Sequence, residues 1–370
     1  RRRYQSASRR FLFLACALAL CLPAACGKRR PPLPPIENVP QRTELLSGVQ
    51  RGNQVILSWP APRRNAPEGS VQSIRRIDIY RVAESTNDPL PLTEEEFASR
   101  ATLIGSVPYT SIERATEDLT YQDTLTLNEP VRLRYALRYV NATGQRASFS
   151  NFLLIEPATR VSQPPTLLAV SNESESVVRI RWQTPPANVD NSTPVNLLGY
   201  NIYRTDRSQN ETAQTPLNSE VLTGSEFNDQ TFKFGEEYVY LVRAVSLGTG
   251  GAQVESLTSN ALGIAPRDTF PPSAPKDISI APGPAGAARR LSLFYPANPE
   301  RDVAGYNIYR STDANAPKDT WTKLNRTLLE RTTYQDEAVE SGVKYFYYLT
   351  AVDTAGNTSQ PSEVVSETVP

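Results

Sequence analysis

The hexapeptide Gly305-Tyr306-Asn307-Ile308-Tyr309-Arg310 recurs almost letter for letter as Gly199-Tyr200-Asn201-Ile202-Tyr203-Arg204, and in eroded form as Arg76-Ile77-Asp78-Ile79-Tyr80-Arg81. A chain that repeats itself is built of copies, and the period says what is copied. Tyr80, Tyr203 and Tyr309 stand 123 and 106 residues apart. Solenoid repeats and propeller blades run on the order of 20–50 residues, so each copy here has the length of a small domain with its own core. Three such units are expected in 370 residues.

Each copy reads as short strands in one order. In the second, Val178, Ile180 and Trp182 alternate with Arg179 and Arg181, the period-2 pattern of a half-buried strand. Tyr200 and Ile202 give the next inward face, with Asn201 and Tyr203 pointing outward. Leu217-Asn218 and Phe227-Asn228-Asp229 mark two further short segments, and Tyr238, Tyr240, Val242 and Ala244 form a long alternating strand. The third copy answers with Leu291, Leu293 and Tyr295; Leu324-Asn325; Tyr334-Gln335-Asp336; and Tyr345, Tyr347, Leu349 and Ala351. Its Asp353-Thr354-Ala355-Gly356-Asn357 is a hairpin turn with glycine. The first copy has Val55, Leu57 and Trp59, then Tyr121-Gln122-Asp123, then Leu133, Tyr135 and Leu137. It also carries extra chain over 83–120, where Thr93 with Glu96 forms a capping box and Leu92 with Phe97 a hydrophobic staple; a short inserted helix is expected.

About seven short strands per 100 residues with turn signals between them fit an antiparallel β-sandwich. Trp182, the Gly199–Arg204 strand and Tyr238-x-Tyr240-x-Val242-x-Ala244, with their counterparts in the third copy, resemble a fibronectin type III domain. The resemblance implies an all-β chain of tandem immunoglobulin-like sandwiches: domain 1 over 44–158 with its insertion 83–120, domain 2 over 159–267 and domain 3 over 268–370. Tyr295 replaces the core tryptophan in the third copy, and Leu133 stands where the family's corner tyrosine is expected in the first.

Residues 1–25 read as a signal peptide. An arginine-rich start leads into an apolar run from Phe11 to Leu22, then into Ala24-Ala25 before Cys26. The run is shorter than the roughly 20 residues that span a bilayer. All three cysteines, Cys16, Cys21 and Cys26, lie here, so the domains can form no disulfide. Leu22-Pro23-Ala24-Ala25-Cys26-Gly27 resembles the lipobox of bacterial lipoproteins, with Pro23 where that motif usually has leucine. The resemblance implies a lipidated Cys26, and Gly27 after it implies outer rather than inner membrane. Residues 26–43 would be a stalk: Pro31-Pro32-Leu33-Pro34-Pro35 favours extended polyproline backbone, reaching about 40 Å at ~3.1 Å per residue. Ordinary secretion with a free thiol is the rival reading.

Composition narrows the chemistry. The chain has no histidine and no methionine; the first removes Ser-His-Asp and Cys-His catalysis, and the second places the initiator upstream of Arg1. Lys plus Arg equals Asp plus Glu at 39 each, so nothing points to nucleic acid. No metal or cofactor is expected. Asp123, Asp229 and Asp336 read as turn stabilisers, Glu94-Glu95-Glu96 as a first turn favoured by the helix dipole. Sequons at Asn141, Asn172, Asn210 and Asn325 matter only in a eukaryotic secretory route.

The outward faces differ between copies. Tyr309, Phe346 and Tyr348 are expected to point away from the core of domain 3 as an aromatic face, either open for binding or packing or covered by a neighbouring domain or loop. Domain 2 has Val239, Leu241 and Arg243 there, and domain 1 has Arg134, Ala136 and Arg138. The expected function is a non-catalytic cell-envelope lipoprotein, held to the membrane by its lipid, that adheres to or scaffolds an envelope or extracellular protein or polysaccharide. The alternative is an accessory part of an envelope carbohydrate- or peptide-processing enzyme system.

Overall fold

A computed structural model describes residues 39–62, 73–109, 118–127, 130–206, 214–284 and 289–370. The expected signal peptide, Cys26 and most of the stalk lie outside them, as does Asn210. No described helix is long and apolar enough to cross a membrane.

Domain 1 comprises β1 (Ser47–Arg51), β2 (Gln54–Pro60), β3 (Ile74–Glu84), α1 (Glu94–Arg100), β4 (Thr102–Pro108), β5 (Asp118–Thr124), β6 (Arg132–Asn141) and β7 (Leu153–Ile155). Domain 2 has β8 (Thr166–Ser174), β9 (Val177–Gln183), β10 (Gly199–Asp206), β11 (Glu226–Asp229), β12 (Tyr238–Leu247), β13 (Gln253–Glu255) and β14 (Leu262–Ile264). Domain 3 has β15 (Ser279–Pro282), β16 (Leu291–Phe294), β17 (Val303–Ser311), β18 (Thr322–Lys323), β19 (Thr333–Asp336), β20 (Lys344–Asp353) and β21 (Val365–Thr368).

In every domain a three-stranded sheet packs on a larger one built around the repeated hexapeptide strand. Domain 1 sets β1-β2-β5 against β4-β3-β6-β7, and domain 3 sets β15-β16-β19 against β18-β17-β20-β21. Domain 2 sets β8-β9-β11 against β10 and β12, with β13 and β14 both pairing β12. The alternating apolar residues meet between the sheets: Val55, Leu57, Trp59, Tyr135 and Leu137 in the first core, Val178, Ile180, Trp182, Tyr200 and Ile202 in the second, Leu291, Leu293, Tyr306 and Ile308 in the third. Full burial of each large side chain stabilises by roughly 1.5–3 kcal/mol, and three separate clusters make three separate cores.

The repeat's local features have local causes. Gly199 and Gly305 head the motif at φ 155° and 157°. A Cβ there would lie 2.3 Å from the Leu222 carbonyl oxygen and 2.8 Å from that of Leu329. Those carbonyls accept from the Tyr200 and Tyr306 amides at 2.8 and 3.0 Å, so the glycine lets the following loop lie against the strand. In domain 1 a continuous β4 fills that edge, pairing Arg76 with Pro108, and the glycine has become Arg76. Asn218 and Asn325 are buried at the same edge, where each side chain accepts from the Ile202 or Ile308 amide at 2.8 Å. The expected strand at Leu217-Asn218 is only an edge of single bonds, with Leu217 N donating to Ile202 O.

The corner tyrosines are where the resemblance placed them. The Lys233 amide donates to Tyr238 Oη at 3.0 Å and the Glu340 amide to Tyr345 Oη at 3.1 Å; Leu133 simply fills the first core. Tyr295 takes the tryptophan's place edge-on to Tyr306, 4.9 Å between centroids, and donates to Arg331 O.

Candidate functional site

The most regular polar feature is internal. Arg81, Arg204 and Arg310, the last residue of each hexapeptide, reach across to Asp123, Asp229 and Asp336 at 2.6, 2.6 and 2.8 Å. The same carboxylate oxygen accepts from Tyr135, Tyr240 and Tyr347 at 2.7, 2.7 and 2.8 Å. Expected to act alone as turn stabilisers, the three aspartates instead join the two sheets of each domain. Asp229 and Asp336 do also hold their turns, accepting from the Thr231 and Ala338 amides. Burial raises the Asp229 carboxyl, but bonds from Thr231 and Tyr240 and the Arg204 charge outweigh it and hold the group below its usual range. Burial, then the aspartate, pushes Tyr135 and Tyr240 far above an ordinary phenol. Fully paired groups of this kind specify a core.

The outward face of the hexapeptide sheet is covered differently in each copy. In domain 1 the 83–120 insertion does it. Thr93 and Glu96 form the expected capping box, and Phe97 drops into a second apolar cluster with Val82, Ala136 and Phe149. Arg134 lies beneath, its side chain 4% exposed and paired with Glu84 at 1%. Glu94 accepts from the Phe149 amide at 3.1 Å. Among the described residues, the insertion is therefore anchored to the domain through Phe97 and Glu94.

In domain 2 a carboxylate organises the face. Glu255 on β13 accepts from Asn201 at 2.7 Å, from Arg243 at 2.9 Å and from Tyr203 Oη. Arg243, 1% exposed, lies 4.1 Å over the Tyr203 ring. Burial works against ionisation of Glu255, yet these bonds keep it below the usual carboxylate range. Tyr203 is pushed up to about 12, by burial first and by Glu255 second. β13 also pairs in parallel with β1 of domain 1 through Arg51 and Glu255. The Gly52 amide donates to Glu255 O at 2.8 Å, and Gln50 exchanges two bonds with the Ala158 backbone. One sheet thus runs through both domains.

In domain 3 the face is aromatic. Tyr309 and Tyr348 stack at 4.7 Å with their planes 11° apart, and Phe346 follows on the same strand side. A loop covers Tyr348, one of the two outcomes expected for this face: Trp321 lies 5.0 Å from it and Lys318 Nζ 4.4 Å over its ring, which leaves it buried at 5%. Tyr309 and Phe346 remain half-buried. Nothing in the local pattern marks Trp321 and Lys318, which lie in the loop between β17 and β18 around a short 3-10 helix, Lys318–Thr320.

Elsewhere, the side chains of Asp268, Asp302 and Asp353 approach within 4.8 Å of one another at the start of domain 3. Asn357 donates to Asp353 at 2.9 Å and to the Asp268 carbonyl at 3.3 Å, so the 353–357 turn is a hairpin that ties down the interdomain segment. Partial burial, then these carboxylates with Glu300, raises Glu175 of domain 2 above its ordinary value. Of the sequons, Asn141 and Asn325 are buried.

The class these features define is a tandem array of fibronectin type III-like β-sandwiches whose cores repeat and whose outer faces do not. No family model matches the chain. It is 24% identical over 336 residues, 88% of its length, to a protein of Cellulomonas fimi named Exoglucanase B, of which it spans only about a quarter (25%). Among solved structures, the FN1–FN3 domains of chicken CNTN1 align with 89% of this chain and 98% of that one, at 16% identity and a TM-score of 0.27.

Proposed function

We propose that this chain is a non-catalytic envelope module that holds a polysaccharide through the outer face of domain 3. The observation that carries the reading is the contrast just described. The Arg-Asp-Tyr network is the same in all three copies, while the outer aromatics differ: Tyr80, Phe97 and Phe149 pack together under the insertion in the first, and Tyr309 and Phe346 stay partly presented beside Tyr348 in the third. Faces of aromatic rings suit the apolar C–H faces of pyranose rings, and contiguous aromatics near a surface mark binding sites. Similarity to a quarter of a protein named for action on glucan supports carbohydrate as the ligand class and an accessory role beside a processing enzyme. Five of the acids have structural roles: Glu96 caps a helix, Glu94 holds a backbone amide, and Asp123, Asp229 and Asp336 pair with the hexapeptide arginines.

Lipidation at Cys26, a proline stalk and an outer-membrane position complete the proposal, supported by the lipobox-like run and by Gly27. Binding of the purified chain to insoluble cellulose, chitin and peptidoglycan sacculi tests the ligand class. Soluble sugar released in those assays, and lost on substituting Glu94–Glu96, would reverse the non-catalytic reading. Incorporation of a palmitate analogue that disappears in Cys26→Ser tests the anchor.

A further inference from the structure

Lys318 occupies an unusual position. Its Nζ is shielded from solvent without a hydrogen-bond partner and lies 4.2 Å over Trp321 and 4.4 Å over Tyr348. No described acid pairs with it, so the rings alone receive the charge. Burial pushes its amine below the ordinary lysine value, as expected of an ammonium that has lost water and gained only π faces.

The loop that delivers Lys318 is bonded mostly to itself. Ser311 Oγ accepts from the Asp313 amide and donates to its carbonyl, and Asp313 accepts from Asn315. Thr320 bonds back to the Pro317 carbonyl, and Trp321 Nε1 donates to Ala316 O at 3.0 Å. Among the described residues, one hydrogen bond ties this segment to the sheet beneath: Tyr348 Oη donates to Lys318 O at 3.0 Å. Ladder pairing resumes only at Arg310 with Thr322 and Tyr309 with Lys323. The segment is a pre-folded flap with attachments at both ends, fastened between them by that one bond and by the packing of Trp321, 5% exposed, on Tyr348.

We propose that residues 312–321 form a strap that masks the carbohydrate face of domain 3, with Lys318 as the intramolecular occupant of the cage a ligand would displace. The proposal rests on the polysaccharide reading and adds regulation to it. Strap closed, Tyr348 is covered and only Tyr309 and Phe346 are partly presented. Strap open, the stacked pair Tyr309 and Tyr348 would be presented together with Phe346, as aromatic surface for a neutral glucan. The cation and the sugar compete for the same ring, so each excludes the other without any change in the core.

The test uses the full chain and two variants, Lys318→Ala, which removes the occupant, and Tyr348→Phe, which removes the one fastening bond and keeps the ring. Trp59 and Trp182 are core residues, 1% and 2% exposed, so acrylamide quenching of tryptophan fluorescence reports chiefly on Trp321. Expected are a rise in the quenchable fraction in both variants and a several-fold gain in retention on insoluble cellulose. Cellulose added to the parent should raise quenching in the same way. If neither variant changes quenching or retention while the parent binds, the strap is a fixed part of the sandwich and the inference is overturned, with the binding reading intact. If quenching rises but no variant binds cellulose, masking of a glucan site is overturned together with the ligand class, and only a mobile loop remains.

Discussion

Tyr203 and Tyr309 occupy the same place in two copies of one motif, and their surroundings could hardly differ more. Tyr203 donates to a carboxylate, under a buried guanidinium, on a face that leads directly into domain 1. Tyr309 stacks on another tyrosine beneath a self-contained loop. The first face is a joint organised on one carboxylate, Glu255. The second is an aromatic surface under a thin cover. Duplication kept the inner residues, because changing them costs the core, and left the outer ones to diverge into different tasks.

The largest expected effect tests the shared half of that comparison. Asp229→Ala and Asp336→Ala should each destabilise their own domain by about 3 kcal/mol, since each strands a largely buried arginine and a buried tyrosine hydroxyl. Urea unfolding should show similar losses in the two; a large inequality would mean that the networks are not equivalent. Glu255→Gln comes next. It leaves Arg243 without its anion at the domain 1–2 joint and should cost about 2 kcal/mol, with new protease cleavage near Ala158 and no change in domain 3.

The glycines rank lower and differ from each other. Gly199→Ala should cost more than Gly305→Ala, roughly 2 against 1 kcal/mol, because the added Cβ meets a carbonyl oxygen at 2.3 rather than 2.8 Å. The smallest effect is a pH dependence read at the two buried carboxylates of domain 2. Asp229 and Glu255 both have folded values below the ordinary 3.8 and 4.5. Their folded forms therefore release protons more readily than the unfolded chain. The stability this gives is present above about pH 5 and is lost as pH falls through the depressed values. Urea midpoints from pH 6 to 3 should fall, and the slope should flatten in the Asp229→Asn, Glu255→Gln double variant.

Much of the scaffold was legible in the residues. Period-2 alternation around Trp59, Trp182 and Leu293 marked core strands because a half-buried strand must alternate, and Thr93 with Glu96 marked the helix because capping is a local interaction. The Arg-Asp-Tyr network was half legible: all three residues recur in register, but their meeting is a cross-sheet contact that no local spacing expresses. The residues that cover domains 2 and 3 were not legible. Glu255 acts through pairing with another domain, and Lys318 and Trp321 lie in a loop whose composition resembles any other turn. Thus alternation placed Tyr348 on the outer side correctly and left its exposure open, because side-chain direction says nothing about what folds back over it.

The central claim is that ligand binding lies in what the copies do not share. Binding isotherms on insoluble cellulose for the parent and for the Tyr309→Ala, Phe346→Ala double variant, with matched urea midpoints to confirm folding, test it most directly. The account predicts at least a tenfold loss of affinity with an intact fold. Equal affinity of parent and folded variant would contradict it.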